Sequence, residues 1–204
     1  MKGTKLIAGA LVAGMMLTGA GYAYWTDQVT VTNTVSTGEL NVKFNGATLT
    51  TTDADSYLVL PQPVVTNKSI STSATNLYPG SSFNFTATLE NDGTIPAVLD
   101  AISVTAGTGG MPSGMSGLTA ADFDKFNVSG TLTHESTVHN IPAGVTLAQL
   151  QAAINSFELR LEPGEVVTLD LTVGLKSTVV DADNLEKKYI KLDWTIDFKQ
   201  HNAN

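Results

Sequence analysis

Cysteine is missing from the 204-residue chain, which excludes disulfides, thiolate metal sites and cysteine nucleophiles. Positive charge is scarce as well, because 11 basic residues face 19 acidic ones and the only arginine is Arg160. Without a basic cluster the chain lacks the means to neutralise nucleic-acid phosphates or to bind an anionic membrane surface. Hydrophobic residues make up 42% of the chain, which is enough to form a folded core.

Residues 1–23 have the order of a secretory signal peptide: lysines, an apolar run, then small residues. We predict cleavage between Ala23 and Tyr24 by a signal peptidase. An apolar stretch of about 15 residues spans only ~22 Å as a helix, against a hydrocarbon core of ~30 Å. The sequence therefore predicts a secreted protein, in the extracellular matrix or at the cell surface, with no stable membrane span after cleavage.

Beyond residue 23, apolar and polar side chains alternate with the period of a β-strand that has one buried face. The segments that show this pattern are 29–35, 40–44, 83–89, 97–104, 126–132, 167–173 and 189–198. A short apolar run at 57–60 is followed by a Ser/Thr/Asn-rich stretch, 64–76, which we predict to be loop. Residues 159–161 and 167–173 flank a Pro-Gly turn and predict a β-hairpin.

Helical signals are confined to two short segments. Thr119 is predicted to cap a helix that runs to residue 126, and Thr146 with Gln149 matches a capping box before a helix at 147–157. About eight strands and one or two short helices predict an all-β, jelly-roll-like two-sheet sandwich.

No catalytic residue, cofactor site or metal site is predicted, and the protein is not expected to be an enzyme. His134 and His139 are five residues apart, whereas a zincin needs histidines four apart on one helical face. They are interpreted as exposed histidines at a strand end. Glu162 and Glu165 are expected to point into water, and Trp194 is expected to pack in the core or an interface.

A signal that ends in GAGYA, followed by YWTDQVTVTNTVSTGELNVKF, resembles the TasA and camelysin (CalY) family of secreted biofilm-matrix fibre proteins. The similarity continues in NLYPGSSFNFTATLENDGTIPAVLDAISV and in the closing YIKLDWTIDFKQHN. The signals of this family are typically removed by a SipW-type signal peptidase. The residues alone leave open whether segment 29–35 is the first strand of its own domain or is exchanged between molecules.

The resemblance implies exchange: a matrix-filament subunit that polymerises head to tail by donating its N-terminal strand to the next subunit. The implied organisation is a signal peptide at 1–23, a donor strand and hinge at 24–37, and a jelly-roll domain at 38–204. Gly38 is the implied hinge, and the implied donor-strand anchors are Trp25, Val29, Val31 and Val35. The implied partners are further copies of the chain and a minor matrix or anchoring subunit.

Two alternatives remain from the sequence. The first is a camelysin-like cell-surface metalloprotease, although the histidine spacing gives it no support. The second is a monomeric secreted adhesin or carbohydrate-binding sandwich that uses Trp25 or Tyr57 as an exposed aromatic platform.

Overall fold

The computed structural model describes residues 3–22, 31–34, 36–52, 57–180, 185 and 188–200. The chain forms two compact units, residues 1–37 and residues 38–204. The first unit contains helix α1 (Gly3–Tyr22) and, in its described part, residues 31–34 and 36–37 without regular secondary structure. Among the described residues, no helix combines the length and apolar character needed to cross a membrane.

The second unit is a two-sheet β-sandwich, as the sequence predicts. Its strands are β1 (Val42–Thr51), β2 (Val64–Val65), β3 (Ser69–Ala74), β4 (Ser82–Asn91), β5 (Ala97–Ala106), β6 (Ser116–Gly117), β7 (Phe126–His134), β8 (Thr137–Thr146), β9 (Arg160–Leu161), β10 (Val166–Leu175) and β11 (Lys188–Gln200). One sheet has the order β1-β4-β10-β7-β8, and the other has the order β2-β3-β11-β5-β9, with β6 parallel to β11.

The core lies between the sheets and is built from the apolar positions of alternating strands. In β4, every second side chain is buried, and the same holds for β10. Trp194 of β11 confirms its predicted core position: it stacks on Phe85 at 4.6 Å between ring centroids. Its indole N–H donates to the Thr72 hydroxyl at 3.2 Å, so the polar atom of this buried ring is satisfied.

The predicted loop at 64–76 is wrong, because it contains strands β2 and β3. Ile70, Thr72 and Ala74 of β3 are buried, whereas the intervening serines are half-buried. The Thr72 hydroxyl donates to the carbonyl of Leu192 at 3.3 Å, so a polar residue occupies an inward position without losing its hydrogen bonds. The Ser/Thr-rich composition of this segment is typical of a loop, although the segment forms a regular strand.

The predicted hairpin around residues 162–165 is also wrong, because β9 pairs with β5 in one sheet and β10 pairs with β4 and β7 in the other. The turn therefore crosses between the sheets. Asn91 fixes the crossing, since its side-chain amide donates to the carbonyl of Leu161 at 3.0 Å. The carboxylate of Glu165 closes the turn by accepting the N–H of Glu162 at 2.7 Å.

Both short helices exist, with bounds that differ from the prediction. A 3-10 helix covers Ala120–Lys125, and the Asp122 carboxylate accepts the Thr119 N–H at 2.8 Å. Helix α2 covers only Leu150–Asn155, because residues 147–149 form a turn in which the Gln149 side chain accepts the Thr146 N–H at 3.1 Å. Strand β8 was not predicted as a strand, since Pro142 and Gly144 interrupt its pattern.

Candidate functional site

The edges of the two sheets are the places where another chain can add a strand, because an edge presents unpaired backbone N–H and C=O groups. Strand β8 ends the first sheet with a proline and a bulge. Pro142 has no N–H to donate to an added strand. Gly144 has a φ of 92° and lies in the bulge where the register between β7 and β8 shifts. Phe157 stacks on the ring of His139, 4.9 Å away, and α2 packs on the same strand. This edge is therefore protected.

The second sheet has short edges flanked by prolines. Strand β2 contains two residues and follows Pro61 and Pro63, and strand β9 contains two residues and precedes Pro163. Strands this short offer few ladder positions to an incoming chain, and the neighbouring prolines withhold further donors.

Strand β1 is different, because it is ten residues long and pairs only with β4 within the described part of the sandwich. Asn91 of β4 is the pairing partner of Val42 in β1. The backbone of Asn91 points away from β1, because its N–H donates to the carbonyl of Glu165 at 3.0 Å and its carbonyl accepts the N–H of Gly164 at 2.8 Å. Hydrogen-bonded and non-hydrogen-bonded pairs alternate along an antiparallel ladder. The polar backbone groups of Ala47, Leu49 and Thr51 consequently point away from β4, along the outer edge.

The first part of this outer edge is covered by the turn between β2 and β3. The N–H of Phe44 donates to the carbonyl of Asn67 at 3.0 Å, and the ammonium of Lys68 donates to the carbonyl of Val42 at 2.5 Å. The open part is therefore residues 45–50, which we call the open β1 edge. At ~3.4 Å per residue it extends for about 20 Å.

The open β1 edge is uncharged and partly apolar. Ala47 and Leu49 are half-buried and pack against the core, and on the neighbouring edge of the other sheet Leu58 and Leu60 do the same. Thr48 and Thr50 lie on the outer face, beside Thr86 and Asn84 of β4. Residues 45–50 include no proline and no lysine, the residues that natural sheets use to protect an edge.

The structure places the predicted donor residues only in part. Val31 is outside any strand and 72% exposed. Trp25, Val29 and Val35, and the predicted cleavage pair Ala23 and Tyr24, lie outside the described residues, so their predicted roles stay predictions.

Gly38, the predicted hinge, packs closely against the sandwich. A Cβ added there would lie 2.0 Å from the Cγ2 atom of Ile95, so this contact requires glycine. The next residue, Glu39, accepts the N–H of Thr94 at 2.8 Å, and its own N–H donates to the Thr94 hydroxyl at 2.8 Å. Gly38 and Glu39 are therefore held by contacts with Ile95 and Thr94.

No protein-family model matches this chain, and no curated protein matches it significantly.

The histidine motif lies on a β-hairpin. His134 of β7 pairs with Thr137 of β8, and its ring lies 2.9 Å from the Glu165 carboxylate, whereas His139 stacks on Phe157. The two imidazoles therefore do not share the helical face that a zincin requires. The described residues contain no group of three His, Cys, Asp or Glu side chains placed to hold a metal ion.

The expectation that Glu162 and Glu165 point into water is wrong for Glu165. Its side chain is only 23% exposed, and its carboxylate accepts the backbone N–H of Glu162 and faces His134. The hydrogen bond from Glu162, helped by His134, holds the pKa of Glu165 below its ordinary value of 4.5, against the opposing effect of burial. Glu162 instead pairs with Arg160 at 2.6 Å and is about half exposed.

The second half of β1 was not predicted from the sequence, because the alternation of inward and outward side chains shifts by one residue within the strand. Val42 and Phe44 face inward, then a bulge at residue 45 shifts the inward positions to Ala47 and Leu49. The alternation of Ala47, Thr48, Leu49 and Thr50 was the available signal, but only the pairing partners show which edge of this strand has no neighbouring strand among the described residues.

Proposed function

We propose that the protein is a structural subunit of an extracellular biofilm-matrix filament. In this proposal each subunit adds the segment 24–37 to the open β1 edge of the next subunit, so that the filament grows head to tail. The observation that carries the proposal is a long, uncharged and unprotected strand edge in a sandwich whose other described edges are blunted.

The donor segment and the open β1 edge have matching patterns. Residues 29–35 alternate valine with threonine, with Asn33 in one of the valine positions, and residues 47–50 alternate apolar residues with threonine. A donor with its valines inward adds Val31 to the apolar side chains near Leu49. Its threonines then extend the row formed by Thr48 and Thr86 on the outer face of the sheet.

The gain from this pairing is large enough to drive association. The outward N–H and C=O groups of Ala47 and Leu49 accommodate four ladder bonds, which contribute about 4 kcal/mol net. Each valine buried adds about 1.5–3 kcal/mol. The sum of the hydrogen-bond and valine contributions exceeds the lower end of the ~4–15 kcal/mol that association costs.

Pairing of the same segment within its own molecule is hindered. Residues 39–41 run along the turn at 92–94, because Asp92 N donates to Asn41 O at 2.8 Å and Thr94 N donates to Glu39 O. A tight hairpin turn centred on Gly38 would need residues 32–34 to pair with residues 42–44. That part of the edge is already occupied by Asn67 and Lys68. Exchange with another molecule avoids this obstruction.

The test is deletion of residues 24–35 from the secreted protein, with its leader retained for export. We expect a folded monomer that forms no filaments in electron micrographs at concentrations where the full-length mature protein does. The matched control replaces residues 24–35 with a Gly/Ser segment of equal length, which preserves chain length but has little strand propensity. Filaments formed by the deletion variant would exclude strand donation.

A second candidate is a secreted carbohydrate-binding adhesin, which one observation favours. Tyr57 is 80% exposed, on an edge where Val59 and Val64 are also exposed. Aromatic rings with such exposure are suited to stack on apolar ligand faces. Retention of wild type, but not of a Tyr57→Ala variant, on a glycan array favours this candidate.

A further inference from the structure

The sequence contains a single Asn-Gly pair, Asn45 and Gly46, and it lies where the open β1 edge begins. Asparagine is chemically labile before glycine, because glycine has no side chain to hinder attack of its backbone nitrogen on the asparagine carboxamide. Every other asparagine among the described residues is followed by a residue that has a side chain. The sequence therefore singles out Asn45 as the candidate for deamidation.

Asn45 is the extra residue of a β-bulge. Phe44 pairs with Leu89 and Gly46 pairs with Thr88, so Asn45 has no residue opposite it in β4. A bulged residue departs from the extended backbone of its strand, and the ladder is disrupted there. Asn45 is also exposed, so water reaches it. The bulge therefore relaxes the restraint that a regular strand places on an asparagine and on the nitrogen that follows it.

The fold does not require glycine at position 46. A Cβ added there would lie 3.9 Å from Thr88 Oγ1, which is an ordinary van der Waals contact, and Gly46 is not among the residues with positive φ. Gly130, at the bulge in β7, is different, because a Cβ there would lie 2.0 Å from the carbonyl oxygen of Asp170. Gly46→Ala is therefore compatible with the structure while it hinders attack by the backbone nitrogen.

A carboxylate at position 45 would be placed beside an existing carboxylate. The Asn45 amide nitrogen donates to the Glu90 carboxylate at 2.6 Å, a bond that needs the amide hydrogen. Lys43, the one basic residue of β1, is already paired with Asp92 at 2.8 Å. Conversion of the amide to an acid removes the bond to Glu90 and substitutes repulsion between two like charges on neighbouring strands. The change therefore weakens the attachment of β1 to β4.

We propose that Asn45 deamidates spontaneously in the folded protein and that the product loosens β1. The backbone nitrogen of Gly46 attacks Cγ of Asn45, so that an N–Cγ bond forms and the Cγ–Nδ2 bond breaks. Ammonia leaves with the proton of the Gly46 N–H. Water then opens the succinimide at either carbonyl, which gives aspartate or isoaspartate. Isoaspartate routes the backbone through the former side chain and inserts a methylene into the strand after Phe44, which disturbs its pairing with β4.

The reaction requires a local opening of β1. Gly46 faces Thr88 in the ladder, so its nitrogen must leave β4 before it attacks. Of the described strands, only β4 pairs with β1, and a strand held on one side opens at a lower free energy than one held on both. The next step rests on the proposed function: a donor strand on the open β1 edge holds β1 from its second side. Deamidation should therefore be slower in filaments than in free subunits.

Mass spectrometry of the folded, secreted protein after prolonged incubation tests the site. Trypsin cleaves after Lys43 and Lys68, so Asn45 lies in the peptide 44–68, in which fragment ions distinguish it from Asn67. We expect a gain of about 1 Da at Asn45, about tenfold faster than at any other described asparagine and about tenfold slower in folded Gly46→Ala. Equal rates in Gly46→Ala and wild type, or no gain at Asn45, would overturn the assignment.

Two further measurements test the consequences of the reaction. Asn45→Asp should melt about 1–3 °C below Asn45→Gln, which keeps a carboxamide at this position, and equal melting temperatures contradict the loosening of β1. The rate at Asn45 should fall at least about threefold when wild type is incubated as filaments. An unchanged rate contradicts the addition of a strand to β1, and with it this part of the proposed function, but retains Asn45 as the modification site.

Discussion

An inward-pointing lysine on the open β1 edge should block assembly without unfolding the sandwich. Ala47 is half-buried and its side chain points toward the core beside the open edge. In an isolated subunit, the long chain of Ala47→Lys can extend to water through the open side of the sandwich. Once a donor strand lies against β1, that route is closed, and the ammonium must be buried without a partner.

The size of the effect follows from the cost of burying a charge. An unpaired ammonium in a protein interior costs several kcal/mol, and a cost of about 3 kcal/mol corresponds to a rise of about 150-fold in the critical concentration. Thr48→Lys is the matched control, because the neighbouring side chain is exposed on the outer face. A surface substitution of this kind changes stability by within about 0.5 kcal/mol, or roughly twofold in concentration.

Sedimentation at a series of protein concentrations, with electron microscopy of the pellets, measures the critical concentration of each variant. Circular dichroism and thermal unfolding establish that both variants remain folded. Equal critical concentrations for the two lysine variants, with both folded, would refute the assignment of β1 as the acceptor.

Three further predictions concern processing, pH and packing. The secreted protein should begin at Tyr24, which N-terminal sequencing or intact mass measures directly. Because the pKa of Glu165 is lowered below 4.5, chiefly by the Glu162 N–H, its contribution to stability is present above that pH and lost as pH falls through the folded pKa. Glu165→Gln should therefore flatten the loss of melting temperature in acid. Gly130→Ala should destabilise the fold by about 2–4 kcal/mol in urea titrations, since its Cβ would lie 2.0 Å from Asp170 O at a φ of 152°.

Strands whose inward residues are consistently apolar were predictable from the sequence. β4 and β11 show this, because period-two burial in both is carried by large side chains such as Phe85 and Trp194. β3 was missed because its inward positions include Thr72, whose hydroxyl is satisfied only through contacts with Trp194 and Leu192 from another strand. Local composition cannot reveal a partner more than a hundred residues away.

The candidate site was less predictable than the fold. The alternation in 29–35 predicts a strand, but the described residues 31–34 have no regular secondary structure. The acceptor for this segment depends on which sheet edge lacks a partner. That depends on the pairing of β1 with β4, on the cover that Asn67 provides, and on the bulge that changes the phase after Phe44. The misassigned turn at 162–165 has the same origin, since Asn91 directs it across the sheets through a long-range hydrogen bond.

Among the described strands, the blunted edges at β2, β8 and β9 leave β1 as the one edge open to an added strand. In the proposed filament, every fibre is therefore unbranched and has two unlike tips: one with an unfilled β1, the other with an unattached N-terminal segment. A subunit lacking residues 24–35 can occupy only one kind of tip, because it receives a strand but gives none. A small amount of this truncated subunit should therefore shorten the growing fibres strongly, because each copy that binds stops growth at that tip.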